Sequence, residues 1–420
     1  MRISQAERKA WFIRMKKLTA LLLSIAILTC ILCGCGAQGA SLTEEEKNTV
    51  VIWHDKEEAV SEALSDELKR LVPDVTVQLE YKSNLTEALK MVGNDPKAAP
   101  DMYFFAHDKI GVYAEMGILA PITDLIDKET LTASCVDMTL DAAAYKGELY
   151  QLPVYFETLL FLYNRLYMPD EKVPGTTEEL YAYMEEKTRG GHYGFVEQHS
   201  TAYYSAGWIH GFGGCIMDEN GNVGLSSPET VRALEYHKKF VGLMPGESEY
   251  ATVNTLFQEG KAHATIGGPW LVSASRAAGM DLGIAPMPVI DETQIPISPY
   301  MGVQGVQVLK FAAENKTEAV KKVLYALMQP EVGISLARVS GCAPAVEACY
   351  ENDEVASDDV VMAMREMAEN TIPMPNRPEM DVMWTVAADM LVNINMSGQD
   401  VKESCAAAQK NAEELIKKMQ

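Results

Sequence analysis

Three short stretches place acids and bases directly behind aromatic residues: Trp53-His54-Asp55-Lys56-Glu57, Phe105-Ala106-His107-Asp108-Lys109 and Tyr155-Phe156-Glu157. A carboxylate accepts several hydrogen bonds and can span neighbouring hydroxyls, an ammonium donates three, and an aromatic face covers the C–H side of a sugar ring. Together they suit a neutral, hydroxyl-rich ligand; a phosphate would call for a glycine-rich loop and an excess of base. Each cluster taken alone also has a local reading. Asp55 and Asp108 are good helix N-caps, and Lys109 is an ordinary first-turn residue. Three matching clusters shift the balance toward a site, and a cap and a ligand contact are compatible.

Chemistry of other kinds is not marked. There is no Gly-x-Ser-x-Gly elbow, His-Glu-x-x-His pair or P-loop, and the seven histidines are dispersed. A carboxylate pair for glycoside hydrolysis stays open among 59 acidic residues, but nothing singles one out. The reading is therefore of a non-enzyme without catalytic residues, cofactor or metal. Asp218 to Glu229 begins like a calcium loop, yet its sixth position is Val223 where that loop needs glycine; Asn220-Gly221 reads as a hairpin turn. A formal charge of −23 and the lack of a Lys/Arg cluster exclude nucleic acid as a partner.

The clusters sit where short β-rich runs give way to helical patterns. Thr49 to Trp53 is a strand, about Glu57 to Leu71 a helix and Val75 to Leu79 a second strand, which reads as a βαβ unit in a parallel sheet. Met102 to Phe105 and Leu149 to Val154 continue the alternation, with a helical pattern over Lys109 to Gly117. Ser227-Pro228-Glu229 has the order of an N-cap, a first-turn proline and an acid at the positive helix end. Ala264 to Ile266 is a strand, and Ser397 to Met419 a final amphipathic helix. In open α/β sheets, ligands bind at the carboxyl ends of strands, which is where the clusters fall.

The first 35 residues read differently. Arg14, Lys16 and Lys17 precede a 15-residue apolar run, Leu18 to Leu32, short for a membrane span and typical of an export signal, with Met15 the expected start. Small residues before Cys35 resemble the bacterial lipobox, which implies cleavage there and lipid on its sulfur; an ordinary secretory signal is the alternative. The cysteines of this stretch lack the His or acidic neighbours of a metal site. Of 36 basic and 59 acidic residues, six and one lie in the leader, so the exported part carries 30 and 58, a net of −28. Residues 36–48 form a polar tether. The five later cysteines are odd in number and scattered; Cys342 and Cys349 are close enough in sequence to pair, but buried thiols are expected.

From about Val50 to its end, the chain resembles the periplasmic maltose/maltodextrin-binding protein family, a branch of the solute-binding proteins of ABC transporters. The resemblance is carried by VVIWHDKE (50–57), APDMYFFAHDKIGVYAEMGILAPI (99–122), LPVYFETLLFLYNR (152–165), TLFQEGKAHATIGGPW (255–270) and MPNRPEMDVMW (374–384). It implies an α/β periplasmic-binding-protein fold: two lobes of discontinuous segments joined by a hinge, with the ligand in the cleft. The lobes would comprise residues 49–157 with 304–358, and 158–303 with 359–420. The first crossing falls near Glu157 to Leu160, the second near Met301 to Gln304 and the third around Ser357 to Val361. By motif, Asp55 with Lys56, Asp108 with Lys109, and Glu157 match sugar-binding acids and bases. Phe105 stands where tryptophan is usual. Tyr203, Tyr250, Trp270 and Trp384 match the aromatic contacts. Thr201 replaces a glutamate, and Ala388 stands where an arginine would follow the last indole by four residues. The inferred pocket thus loses a charge of each sign and some aromatic wall, leaving room for longer α-glucans or a related oligosaccharide. The resemblance further implies a lipid-anchored monomer on the outer face of the cytoplasmic membrane. Its partners would be an oligosaccharide and an ABC permease pair with a cytoplasmic ATPase, or, in the alternative, a sensor in place of the permease.

Overall fold

The computed structural model describes residues 42–419, and from Lys47 onward they form one compact unit. The expected leader 1–35, its Cys35 and residues 36–41 of the tether lie outside the described residues. Within the remaining tether, Glu44–Lys47 is a single helical turn closed by a capping box: Glu46 N–H donates to Thr43 Oγ1 (3.2 Å) and Thr43 N–H to Glu46 Oε2 (2.7 Å).

The chain alternates as its sequence suggests. It runs β1 (Thr49–His54), α1 (Glu58–Leu71), β2 (Thr76–Tyr81), α2 (Leu85–Val92) and β3 (Met102–Ala106). A 3₁₀ turn, His107–Lys109, precedes α3 (Ile110–Glu115), which is shorter than the pattern over 109–117 implies because Gly117 takes a left-handed φ of +70° and stops it. Next come α4 (Asp137–Ala143), β4 (Gln151–Thr158) and β5 (Leu160–Asn164). They are followed by α5 (Ala202–Gly211), α6 (Pro228–Val241), α7 (Tyr250–Gln258), β6 (Ala264–Gly267) and β7 (Leu282–Ala285). The chain closes with β8 (Tyr300–Val308), β9 (Ala343–Pro344), α8 (Asp359–Met367), β10 (Ile372–Pro373), α9 (Met380–Asn395) and α10 (Val401–Met419). The last helix begins four residues later than expected, since Gly398 also has positive φ (+70°).

Two lobes follow from two sheets. The larger sheet has the order β9-β4-β8-β3-β1-β2, with β10 also paired to β8; the smaller is β6-β5-β7. The expected parallel arrangement holds for β1, β2 and β3, and β10 also runs parallel to β8. β8 runs antiparallel to both β3 and β4, because the chain re-enters the large sheet from the small one without a crossover helix. Leu159 alone separates β4 in one sheet from β5 in the other, and Tyr300 enters β8 beside that exit, with Met301 opposite Thr158. All nine residues of β8 and all five of β5 are buried, the mark of central strands covered on both faces.

One apolar core, including Phe161, Trp208, Phe257, Met383 and Leu391, surrounds the small sheet and takes in α5, α6 and α9. A second, with Ile52, Phe104, Val306 and Leu336, fills the large-sheet lobe, beside a satellite of Trp53, Leu85, Tyr103 and Tyr113. Ser227 caps α6 as expected, its Oγ accepting from Thr230 N–H at 3.1 Å with Pro228 in the first turn, an arrangement worth about 1 kcal/mol. Asn220-Gly221 is the expected turn: Met217 pairs with Val223, and Gly221 has φ +85°. Cys342 and Cys349 are separate buried thiols, and all five described cysteines are free. Among the described residues no helix is long and apolar enough to cross a membrane, and no group of side chains is placed to hold a metal ion.

Candidate ligand-binding site

The three polar clusters converge because their strands are neighbours in register. His54 at the end of β1 lies beside Phe104 of β3, and Gln304 of β8 lies between Ala106 of β3 and Tyr155 of β4. Lys56 Nζ sits at this junction, 2.6 Å from Asp55 Oδ1 and donating to Gln304 Oε1 at 2.7 Å. It also lies 5.3 and 5.4 Å from the ring centres of Phe104 and Phe105, within cation–π range. The other end of the same amide, Gln304 Nε2, donates to Glu157 Oε1 at 3.0 Å. Glu157 Oε2 faces the Cys342 thiol at 3.5 Å. Burial pushes the Glu157 carboxyl above its ordinary value, against the pull of the Lys56 charge.

Neither Asp55 nor Asp108 caps a helix. The N-cap of α1 is Glu57 and that of the 3₁₀ turn is Ala106, and neither terminus has a side-chain capping bond. The local alternative for these two acids therefore falls away. Asp108 is buried with its carboxylate 3.3 Å from Lys109 Nζ. Lys109 Nζ donates at 2.6 Å to Asp381 Oδ1, and Lys90 Nζ donates to Asp381 Oδ2 at 2.9 Å. Burial alone would lower the Lys109 ammonium, but Asp108 and Asp381 outweigh it and hold the group charged. His107 is fully buried and binds the turn in place: Val303 N–H donates to its Nδ1 (3.1 Å), which leaves Nε2 to donate to Met374 O (2.9 Å). Burial keeps this imidazole neutral by lowering its pKa.

The aromatic residues form a band. Tyr203 stacks on Tyr300 with ring centres 6.3 Å apart, Tyr300 meets Trp384 edge-on at 5.6 Å, and Tyr203 meets Tyr204 edge-on at 5.8 Å. Burial pushes the Tyr204 hydroxyl up to about 12, with the nearby Tyr250 adding to the rise and the Gln198 and Trp270 side chains opposing it. Tyr250 starts α7 and is 50% exposed, the outermost of the expected contacts. The Trp270 ring covers Gly268, where an added Cβ would come within 2.3 Å of it, so only glycine permits this indole position. Burial raises the Tyr203 hydroxyl well above its ordinary value, with the charges of Glu157 and Asp108 adding to the effect. Thus Asp55, Lys56, Phe105 and Glu157 form one group, Asp108 and Lys109 a second, and Tyr203, Trp270 and Trp384 a third with Tyr250 at its edge. Thr201 caps α5 without a side-chain bond to it, its hydroxyl donating to Gln198 O at 3.0 Å.

Sequence reasoning missed Gln304, Asp381, Lys90, Cys342, Tyr204 and Tyr300. Gln304 had a signal: a glutamine inside a buried apolar strand needs a polar partner. Asp381 had one too, lying three residues before Trp384 and hence on the same helix face. A cavity of about 710 Å³ lined by Asp141, Tyr145, His210, Cys215, Asn376 and Arg377 contains none of the expected contacts.

Known proteins resemble this chain in sequence and in fold. Residues 63–363 match the family model described as bacterial extracellular solute-binding protein. A maltotriose-binding protein of Pyrococcus abyssi is 31% identical over 88% of this chain and 82% of its own length. A galactooligosaccharide-binding protein of Bacillus subtilis is 27% identical over 96% of this chain and 98% of its own. Among solved structures, a cyclo/maltodextrin-binding protein complexed with maltotetraose superposes with a TM-score of 0.79 at 23% identity, covering 92% of this chain and all of that one. The maltose/maltodextrin-binding domain from Bdellovibrio bacteriovorus bound to maltotriose gives 0.75 at 23% identity, covering 88% of this chain and all of that one.

Proposed function

Because the chain belongs to the bacterial extracellular solute-binding protein family, we propose that it captures maltodextrin-type oligosaccharides between its lobes and delivers them to an ABC permease pair driven by a cytoplasmic ATPase. The observation that carries this reading is the nearness of two kinds of surface, joined where Lys109 meets Asp381 on the helix that bears Trp384. Carboxylates and ammoniums stand at the strand ends of the large sheet, and an aromatic band including Trp270 and Trp384 packs on the core of the small one. Hydroxyls of a neutral sugar bind the first, and its C–H faces stack on the second. The residues proposed to touch it are Asp55, Lys56, Phe105, Asp108, Lys109, Glu157, Tyr203, Tyr250, Trp270 and Trp384. The lobes exchange chain near residues 157–160, 301–304 and 357–361. Closure about these crossings favours the liganded form because both lobes touch the sugar only there.

The remaining parts of the proposal rest on the sequence. Cys35 carries the lipid that keeps the protein, a monomer, on the outer face of the membrane. The sugar leaves as it entered, without cleavage. The B. subtilis relative supports a second reading, in which the ligand is a galactooligosaccharide.

A thermal-shift panel on the chain after Cys35 tests the ligand, with maltose, maltotriose, maltopentaose, cellobiose, raffinose and a galactotriose in separate wells. A sugar at a hundred times its Kd adds about 2.7 kcal/mol of stability. Shifts confined to the malto-series support the proposal, and a shift with galactotriose alone replaces it with the second reading. Chromatography of the recovered sugar checks that it is intact.

A further inference from the structure

One acid on α9 ties down two bases from the opposite lobe. Asp381 stands in the first turn of α9, whose buried residues Met380, Met383, Val386 and Ala387 belong to the small-sheet core. Lys109 follows β3 of the large sheet, and Lys90 lies on α2, whose Leu85 and Leu89 pack with Trp53 and Tyr103. The two Asp381 oxygens are divided between them, at 2.6 Å to Lys109 and 2.9 Å to Lys90. These are partly buried contacts: the Asp381, Lys109 and Lys90 side chains are 25%, 15% and 31% exposed.

Asp381 also shares a helix face with Trp384, three residues on, so a sugar ring resting on that indole lies beside the Asp381–Lys109 pair. The Lys109 ammonium has three donors. Asp381 takes one, and Asp108 lies 3.3 Å away as an ion pair, so at least one is left for a ligand hydroxyl. Glu87 completes the cluster at 3.2 Å from Lys90. Three carboxylates thus surround two ammoniums, and a ligand carboxylate entering here meets a net negative charge.

Building on the oligosaccharide reading, we propose that Asp381 is a further positioning and specificity-determining residue: it fixes Lys109 with one donor free and makes the subsite beside Trp384 accept neutral saccharides and refuse acidic ones. Without Asp381 the ammonium swings free, and the cluster falls to a balance of two carboxylates and two ammoniums.

The test is calorimetric titration of the exported chain and its Asp381→Asn and Asp381→Glu variants with maltotriose, galactotriose and trigalacturonate. Asp381→Asn keeps the shape and removes the charge; its affinity for the neutral trisaccharide that the wild type binds falls about tenfold. Its preference for that sugar over trigalacturonate also falls at least tenfold, an effect reduced in high salt. Asp381→Glu restores most of the preference. Unchanged affinity and preference in Asp381→Asn overturn the inference, and so does an equal loss in both variants, which is a response to shape alone. A wild-type protein that binds neither neutral sugar overturns the oligosaccharide reading instead, and the inference falls with it.

Discussion

Glu157, one of the residues proposed to touch the sugar, also bears on stability. It is a half-buried carboxyl, with Gln304 Nε2 and the Cys342 thiol as its hydrogen-bonding partners and Lys56 as its nearby opposite charge. Burial raises its pKa above the ordinary 4.5, so the fold favours the neutral acid. The sign follows from linkage. The stability contributed by this group is complete below 4.5 and is lost as pH rises through the folded value. Glu157→Gln, which cannot ionise, therefore matches the wild type in urea unfolding at pH 4 and exceeds it at pH 7. An equal difference between the two proteins at both pH values counts against burial as the dominant cause. On the proposed reading, sugar hydroxyls donating to the carboxylate would supply part of what water supplies, so ligand would stabilise the charged form.

The helix that carries Tyr203 is held by a buried hub. Glu197, 1% exposed, accepts from Trp208 Nε1 of α5 at 3.1 Å on each oxygen and bonds His237 Nε2 of α6. The His237 ring stacks on that indole with centres 4.7 Å apart. Glu197→Ala leaves both nitrogens without a partner in a dry core. The expected loss is about 3 kcal/mol in urea unfolding at pH 7, at 1–3 kcal/mol per orphaned group. A loss within about 0.5 kcal/mol of zero means that water reaches the hub. The alternation that positions these helices was legible in local sequence: β1, α1, β2, β3 and the Ser227 cap all fall within a few residues of the pattern that announces them. The direction of β8 was not, since antiparallel pairing depends on how the chain returns from the other sheet. The polar couplings were illegible for a similar reason. Lys109 and Lys90 are 272 and 291 residues from Asp381, and Lys56 is 248 from Gln304. Residue type announced each charge, while its partner depended on register and lobe packing.

The two lobes touch through contacts that differ in strength. His107 to Met374 O and Asn376 Nδ2 to the carbonyls of Ala142 and Ala144 are partly buried hydrogen bonds. The Asp381 pairs are ionic and closer to solvent, and partly exposed pairs contribute on the order of 1 kcal/mol or less each. Such a sum holds a ligand-free closed form only weakly, whereas a two-state shift from 1:99 to 99:1 takes about 5.5 kcal/mol. On the proposed mechanism, sugar supplies most of the closure, and salt loosens what the ion pairs hold alone. Screening shortens from about 8 Å at physiological ionic strength to about 3 Å at 1 M. Small-angle scattering of residues 36–420 is expected to show the largest radius of gyration in 1 M salt without sugar and an intermediate one in low salt. With saturating maltotriose the radius is smallest and no longer depends on salt, because the sugar's hydrogen bonds and stacking, unlike the ion pairs, survive screening. Curves that respond to neither sugar nor salt indicate lobes fixed by the partly buried hydrogen bonds, and delivery by hinge closure is then the wrong mechanism for this fold.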